Sequence, residues 1–275
     1  MAVEVVSNAF PSGDYKNWEI CDALWPHAQE VLRSKFVSDT SSLAKAALLY
    51  HMAWYSWMQG RYMPASVQSQ ESLSIREQVL QGNDVEIFDS AGLLDLVLQY
   101  QGKYTKAEAI NQRVLTGHKI ALGAEHPSTL TSTANLALTY RYQGCWKEAE
   151  DLEVQVMETR KRVLEQEHPD TLTSMANLAS TFWNQGRWKE AEDLEVQVIE
   201  TSLRVLSVEH PDTLTSMANL ALTYQNQGRW KEAEDLEVQV METSLRVLGA
   251  EHPDTLTSMN NLAFTWKGQG KDKEP

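Results

Sequence analysis

The sequence has little of what marks secreted, membrane-bound or nucleic-acid-binding proteins. Two cysteines, Cys21 and Cys145, are too few for a disulfide framework, so we expect a reducing compartment, the cytoplasm. No run of about 18 apolar residues could span a membrane, and the N-terminus lacks the pattern of a secretory signal. Positive charge is also scarce. With 24 Lys and Arg against 38 Asp and Glu, the net charge of −14 disfavours nucleic acids and anionic membranes as partners.

The sequence does contain a strong internal repeat. The string His-Pro-Asp/Ser-Thr-Leu-Thr-Ser recurs every 42 residues, beginning at His126, His168, His210 and His252. A Gln-Gly pair recurs in the same register, with its glycine at Gly60, Gly102, Gly144, Gly186, Gly228 and Gly270. Residues 168–209 and 210–251 are identical at 36 of 42 positions, so the chain is an array of repeated structural units.

Each unit predicts two antiparallel helices. In 210–251, Pro211 suits the first turn of a helix, and apolar residues follow it at spacings of three and four. Gly228 ends this helix, a second begins at Trp230, and Gly249 can cap the second. One such pair cannot cover its own apolar face, so neighbouring pairs must stack. We therefore predict an all-α, right-handed solenoid of about thirteen helices, with inner helices lining a groove and outer helices facing solvent.

The array divides into a capping segment and repeats. We assign residues 1–41 to N-terminal capping helices and residues 42–275 to the array. Its predicted units are about 42–83, 84–125, 126–167, 168–209, 210–251 and a partial unit 252–275. Because the last unit ends inside what would be an outer helix, we expect the chain to be a piece of a longer protein.

The repeat resembles the tetratricopeptide repeat. The residues that carry this resemblance are Asn-Leu-Ala, an aromatic residue three positions later, Gln-Gly, Trp or Tyr two further, and Glu-Ala-Glu. The 42-residue period is similar to that of kinesin light chains and of the sensor arrays in fungal NOD-like receptors. Segments in 10–28 resemble the junction after the nucleotide-binding part of those receptors: Phe10-Pro11-Ser12-Gly13, Trp18 with Cys21, and Pro26-His27-Ala28. The chain has no Gly-x-x-x-x-Gly-Lys-Ser/Thr loop, so we do not expect it to switch on nucleotides.

Differences between the two most similar repeats point to a binding surface. Only two of the six differences are chemically large and outside the turn, Ser180/Leu222 and Trp183/Gln225. In the tetratricopeptide pattern these positions line the concave groove. With their neighbours and equivalents they give the predicted groove residues Leu138, Arg141, Tyr142, Asn184, Asn226, Phe264 and Lys267. The alternative is drift at unconstrained surface positions.

An asparagine recurs on each inner helix. The four residues are Asn135, Asn177, Asn219 and Asn261. An amide both donates and accepts hydrogen bonds, so it can bind an extended peptide backbone without reading its side chains. The resemblance to kinesin light chains implies this role here. The alternative, compatible with the first, is that each asparagine bonds a neighbouring helix and orders the stack.

Upstream, most of the predicted groove positions carry aromatic side chains. The positions are Tyr50, His51, Trp54, Trp57 and Met58, followed by Leu96, Gln99 and Tyr100. Clustered aromatic rings with a methionine can form an anchor pocket for a hydrophobic side chain. A peptide anchored here would run on along the asparagines. The alternative is that about half of these residues pack under the N-terminal segment 3–35.

We predict no catalytic residues, no metal and no cofactor. Stacked repeats lie about 10 Å apart, so histidines 42 residues apart cannot share a zinc ion, and His-Pro fits a turn that starts a helix. Acidic residues recur on every outer helix, as solvated faces do, and the glutamates at 153, 195 and 237 are expected to be half-covered. A clamp for acidic C-terminal tails is not expected, because the groove offers only Arg141 and Lys267 as cations.

These features predict a module that binds a protein or extended peptide in its concave groove. The resemblance implies the ligand-sensing part of a fungal NOD-like immune or incompatibility receptor. Two alternatives are an oligomerisation or spacer module and a cargo adaptor like kinesin light chains. No nucleic-acid or membrane partner is expected, and a monomer is favoured for the isolated array.

Overall fold

The computed structural model describes residues 2–34, 38–81 and 84–270, and all regular structure in these ranges is helical. The chain forms two compact units, Met1–Gly144 and Cys145–Pro275. The described residues contain thirteen α-helices, which confirms the predicted all-α repeat fold. No helix in these ranges is both long and apolar enough to cross a membrane.

Each unit is a series of helices joined by short turns. Unit 1 contains α1 (Ala2–Ala9), α2 (Trp18–Leu32), α3 (Asp39–Met58), α4 (Tyr62–Val79), α5 (Val85–Tyr100), α6 (Tyr104–Leu122) and α7 (Pro127–Gln143), with a 3₁₀ turn at Tyr15–Asn17. Unit 2 contains α8 (Trp146–Leu164), α9 (Pro169–Asn184), α10 (Trp188–Val205), α11 (Pro211–Asn226), α12 (Trp230–Leu248) and α13 (Pro253–Gly268). We call α3, α5, α7, α9, α11 and α13 the first helices of the repeats, and α4, α6, α8, α10 and α12 the second helices.

Packing within each unit is local. From α3 to α7, and again from α8 to α13, each helix packs mainly against the helix before it and the helix after it. Successive first helices also touch, α3 against α5 and α9 against α11. The apolar stripe of each helix is thus covered by its neighbours, as a stacked repeat requires.

The repeated sequence signals mark where helices start and end. His168 caps α9, because its Nδ1 accepts the backbone N–H of Asp170 at 3.1 Å and Pro169 occupies the first turn. The glycine of each Gln-Gly pair follows the first helix of its repeat with a positive φ, +76° at Gly228. Such a φ suits glycine, which has no Cβ to clash with the backbone. Both signals act as the sequence predicted.

The N-terminal segment covers one side of α3. Phe10 and Cys21 pack against Leu48, Met52 and Tyr55 in one buried cluster. The Tyr55 hydroxyl donates to Asp22 at 2.6 Å. The segment also approaches the α3 backbone closely at Gly13, where an added Cβ would lie 2.4 Å from the Tyr55 nitrogen.

Polar contacts repeat along unit 2 where the turns meet the second helices. In each of three repeats a glutamate carboxylate accepts a hydrogen bond from a glutamine amide of the next turn. The pairs are Glu150 with Gln185 at 2.9 Å, Glu192 with Gln227 at 3.0 Å, and Glu234 with Gln269 at 3.1 Å. The Arg229 guanidinium adds a 2.8 Å contact to Glu192 and lies 3.9 Å from the centre of the Tyr224 ring. These contacts join each turn to the preceding repeat and fix the register between them.

The turns between repeats hold the backbone in a conformation that favours glycine. Four equivalent positions have φ values of +90°, +77°, +112° and +89°; they are Gly123, Glu165, Ser207 and Gly249. Glu165 and Ser207 carry a Cβ in a region where L-residues are strained by about 1–3 kcal/mol.

We therefore expect Ser207→Gly to stabilise the protein. The relief of backbone strain is larger than the entropy cost of the greater freedom that glycine gives the unfolded chain. The free energy of unfolding, measured by urea denaturation, should therefore rise by about 0.5–1 kcal/mol. Gly249→Ser is the matched reverse variant and should lose a similar amount. A Ser207→Gly protein no more stable than the parent would contradict the strain at this turn.

Candidate functional site

A cavity of about 530 Å³ opens in unit 1. We call it the unit 1 cavity. Tyr50, Trp54 and Trp57 of α3 form one side. Helices α5, α6 and α7 form the rest of the wall, with the residues Phe88, Asp89, Leu93, Leu96, Asn111, Val114, His118 and Asn135 among others. The structure thus brings together three of the predicted aromatic residues, Leu96 and one of the predicted asparagines.

The tryptophans of the unit 1 cavity carry unused hydrogen-bond donors. The indole Nε1 atoms of Trp54 and Trp57 are buried and have no hydrogen-bond partner in the described ranges. Their rings pack on Ala53, Leu93 and Val97. A buried N–H without an acceptor is costly. The cavity is therefore lined by two tryptophans whose buried donors have no acceptor within the described chain.

Two titratable residues, Asp89 and His118, line this cavity, and Arg76 lies behind its Tyr50 wall. The Arg76 guanidinium lies 5.3 Å from the centre of the Tyr50 ring, and one of its nitrogens donates to Ser90 at 2.7 Å. Burial raises the pKa of Asp89, against the opposing effect of Arg76. Burial lowers the pKa of His118, so its ring is neutral at pH 7. The wall near α6 is thus polar but carries no histidine charge.

Unit 2 has a series of smaller cavities between its first helices. One of about 150 Å³ lies along α9 and α11 and is lined by Asn177 and Asn219. The next, of about 450 Å³, lies along α11 and α13 and is lined by Asn219 and Asn261. The variable pair Ser180 and Leu222 lines these cavities as well. We call this surface the unit 2 groove.

The asparagines differ in how far the protein uses their side chains. Within the described residues, the amides of Asn135, Asn219 and Asn261 make no hydrogen bond to the chain, and all three are half-buried. Asn111, on a second helix, is buried and donates to Thr139 at 2.9 Å. The three cavity asparagines therefore leave both donor and acceptor for a ligand.

The structure corrects the prediction for Gln225. Gln225 is only 7% exposed, and its Nε2 donates to Glu237 and to Thr265, both at 2.8 Å. It lies in the interior between three helices and not in a groove. Gln99, expected at the equivalent place upstream, is also buried, with its Nε2 3.1 Å from Thr139.

Several other predicted site residues lie outside the cavities. Tyr100 contacts the Trp57 and Tyr62 rings near the end of α5, and Tyr142 stacks on Tyr104 at 5.8 Å. His51 is bonded to the Phe10 carbonyl at 3.0 Å, under the N-terminal segment. The remaining residues are half-buried or exposed without lining a described cavity: Met58, Leu138, Arg141, Asn226, Phe264 and Lys267.

The glutamates at 153, 195 and 237 are more deeply buried than predicted. Glu153, Glu195 and Glu237 are only 2%, 3% and 2% exposed. Each lies on a second helix and is covered by the following first helix, which carries a threonine at the facing position. Glu195 is hydrogen-bonded to Thr223 in this way. The sequence showed these residues as part of an acidic face, but the next repeat removes them from water.

Sequence reasoning missed the second-helix contribution to the unit 1 cavity. Asn111 and His118 of α6 line it, as do Phe88 and Asp89 of α5. A signal for Asn111 was present, because it occupies the register of Glu153, Glu195 and Glu237 and is the uncharged member of that series.

The histidines at the turns serve as helix caps. In the described part of the chain, no group of three or more His, Cys, Asp or Glu side chains is placed to hold a metal ion.

Burial of Glu195 predicts a pH-dependent stability. Burial raises its pKa to about 7, so the folded chain binds this proton more tightly than the unfolded chain. Its contribution to stability is therefore full below the unfolded pKa of about 4.3 and is lost as pH rises through 7. Glu195→Gln mimics the protonated form, so its thermal midpoint should exceed that of the parent at pH 8 and approach it at pH 5. Glu148→Gln, an exposed glutamate, is the control. A difference in thermal midpoint between Glu195→Gln and the parent that is the same at pH 5 and pH 8 would contradict this account.

Solved structures of known proteins share this architecture. A kinesin-light-chain-like protein of Podosopora anserina with nearly identical TPR-like repeats is 28% identical, with 73% of this chain and 94% of that chain covered and a TM-score of 0.59. NprR, solved in complex with its cognate peptide NprX, is 12% identical, covers 99% of this chain and 74% of its own, and has a TM-score of 0.70. A STAND protein of Pyrococcus horikoshii with a tetratricopeptide repeat sensor is 13% identical. The match covers 92% of this chain and 36% of that chain, with a TM-score of 0.59.

Family models agree with these structures. No curated protein sequence matches the chain. Two models described as tetratricopeptide repeat match residues 96–162, 133–204 and 213–254, together more than half of the chain. With the stacked helix pairs and the 42-residue period, these matches show that the chain belongs to the tetratricopeptide repeat family.

Proposed function

We propose that the chain binds an extended peptide segment of a partner protein on the surface of its first helices. The observation that carries this proposal is the unit 1 cavity, where apolar walls surround two buried indole N–H groups without acceptors. The free amides of Asn135, Asn219 and Asn261 extend the same chemistry along further first helices.

The unit 1 cavity would hold a large hydrophobic side chain. Its volume of about 530 Å³ exceeds that of any single side chain and lies in the usual range for ligand pockets. An aromatic or leucine side chain would pack between Trp54, Trp57 and Phe88. The indole N–H groups would then donate to the flanking peptide carbonyls, which offsets the cost of their burial.

The asparagines would bind the backbone of the peptide, and the variable positions would contact its side chains. Each free amide can bind one N–H and one C=O of a peptide backbone, whatever the peptide sequence. Ser180 and Leu222 are in equivalent positions but differ in size and polarity, so they would select ligand side chains. NprR, which shares the fold, was solved with a bound peptide, a precedent for peptide recognition by this architecture.

We also infer that this surface is the sensor of a larger receptor of the NOD-like class. The resemblance of residues 10–28 to the junction in those receptors supports this inference, as does the shared fold of the STAND protein with a tetratricopeptide repeat sensor. In a receptor that contains this chain, adding the bound peptide should change the rate of nucleotide exchange. An unchanged rate with peptide bound would contradict the sensor role.

Peptide binding can be tested with peptides selected on the full chain from a random display library. Trp54→Ala should weaken the selected peptides by about 30-fold, because a buried aromatic anchor contributes roughly 2 kcal/mol. Asn135→Ala should weaken them by about 2- to 10-fold through one lost hydrogen bond while leaving the thermal midpoint nearly unchanged. Fluorescence anisotropy measures both affinities.

Ile120→Ala, at an exposed position of α6 outside the cavity, is the matched control and should bind like the parent. Circular dichroism checks that each variant is folded. Two outcomes would contradict the proposal: full affinity in Trp54→Ala, or an Asn135→Ala protein that loses stability and keeps its affinity. The second outcome would assign the asparagines to ordering the stack.

Self-association is a second candidate function, because α13 carries an exposed aromatic residue, Phe264, which is 59% exposed. Light scattering that shows concentration-dependent assembly, lost in Phe264→Ser but kept in Trp54→Ala, would favour this function over peptide binding.

A further inference from the structure

Two repeats contain the same buried amide bridge between helices. Gln225 on α11 donates through Nε2 to Glu237 of α12 and to Thr265 of α13, both at 2.8 Å. Gln99 on α5 makes the corresponding contact to Thr139 of α7 at 3.1 Å. In both repeats a buried primary amide joins one first helix to the next, and Gln225 also reaches the second helix between them.

Two repeats lie between them, and neither has this amide, because Arg141 and Trp183 stand at the equivalent positions. In the second of them, that of Trp183, the carboxyl group in the register of Glu237 is Glu195. Glu195 is 3% exposed and bonded to Thr223, but its Oε2 is buried without a hydrogen-bond partner in the described residues. The Trp183 Nε1 is also buried and unpartnered.

Oε2 of Glu237 is unpartnered as well, but Glu237 accepts from both Thr265 and Gln225. Among the described residues, Glu195 accepts only from Thr223. The repeat of Trp183 therefore has a carboxylate that lacks its amide donor and an indole donor without an acceptor in the described part of the chain.

A small cavity lies at this place. It has a volume of about 100 Å³ and is lined by Ser180, Trp183, Asn184, Glu195, Asn219 and Leu222. That volume corresponds to about three water molecules at liquid density, which suits a group of a few heavy atoms. Asn219 and Leu222 also line the adjacent unit 2 groove, so the cavity adjoins the proposed peptide path.

We propose that this cavity is a subsite for a primary carboxamide, the side chain of an asparagine or glutamine in the bound peptide. Its N–H donates to the Glu195 carboxylate, as Gln225 donates to Glu237 Oε1, and its carbonyl accepts from the Trp183 indole N–H. That the carboxamide belongs to a peptide rests on the proposed peptide-binding function. That the cavity binds a carboxamide does not. The ligand thus completes a hydrogen-bond bridge that the chain completes by itself in the neighbouring repeat.

Other small groups satisfy the cavity less well. An ammonium group donates to Glu195 but offers no acceptor to the Trp183 indole. An apolar group leaves both buried polar atoms unpaired, which is costly. A carboxylate offers an acceptor to the indole but faces the Glu195 carboxylate, so like charges oppose it.

The subsite can be tested with acetamide as the probe on the full chain at pH 8. The ¹H–¹⁵N resonance of the Trp183 indole, assigned by its loss in Trp183→Phe, should shift and saturate as acetamide is added. N,N-dimethylacetamide has no N–H donor, and methylammonium has no acceptor. Each should bind at least tenfold more weakly than acetamide.

Two variants test the geometry. Trp183→Gln supplies the missing amide from the chain, so in this variant the resonances of the Asn219 amide, on the cavity wall, should no longer respond to acetamide. If Trp183→Gln does not fold, Ser180→Leu installs the residue found at position 222 and should close the cavity with the same result. In the parent, the Asn219 resonances should respond with the same saturation midpoint as the Trp183 indole.

Three results would overturn the subsite: no saturable shift with acetamide, equal binding of dimethylacetamide, or tighter binding of methylammonium. The outcome is separable from that of the proposed function. Acetamide binding without any selected peptide keeps the subsite and rejects peptide recognition. Selected peptides that bind through the unit 1 cavity, with no acetamide binding, reject the subsite alone.

Discussion

The structure depends on one constraint, that a pair of helices cannot cover its own apolar face. Every repeat must therefore pack on its neighbours, and the helices within each unit contact mainly those adjacent in sequence. Apolar packing alone allows neighbours to slide. Buried polar pairs at fixed places, such as Asn111 with Thr139 and Gln225 with Glu237, remove that freedom because a shifted register leaves them unpaired. The 42-residue period of the sequence and the positions of these buried polar pairs together fix how the repeats stack.

The same constraint determines where binding sites can arise. Positions that join helices must keep their hydrogen-bonding role, whereas positions on the exposed side of the first helices can vary. Ser180 and Leu222 illustrate the second class, since their repeats are otherwise nearly identical. A site also arises when a joining position is released from its role. Trp183 replaces the bridging amide found at Gln225, so Glu195 lacks the amide donor that Glu237 has, and a small cavity lies beside it.

The sequence predicted the helices well and the depth of individual side chains poorly. Helix ends followed from local chemistry: a His-Pro start and a glycine with positive φ act within one turn, so their effect is readable from the chain alone. Burial of Glu195 and Gln225 depends on the following repeat, which a single-helix pattern does not describe. On α3, His51 and Tyr55 face the N-terminal segment while Trp54 and Trp57 face the cavity, and no spacing rule told the two sides apart.

The central claim is that recognition occurs on the first helices. A crystal structure of the chain with a selected peptide tests it most directly. The account predicts an extended peptide across α3, α5 and α7, with a hydrophobic side chain between Trp54 and Trp57 and a backbone amide bonded to Asn135. A peptide bound instead to the exposed faces of the second helices, with the unit 1 cavity empty, would contradict it.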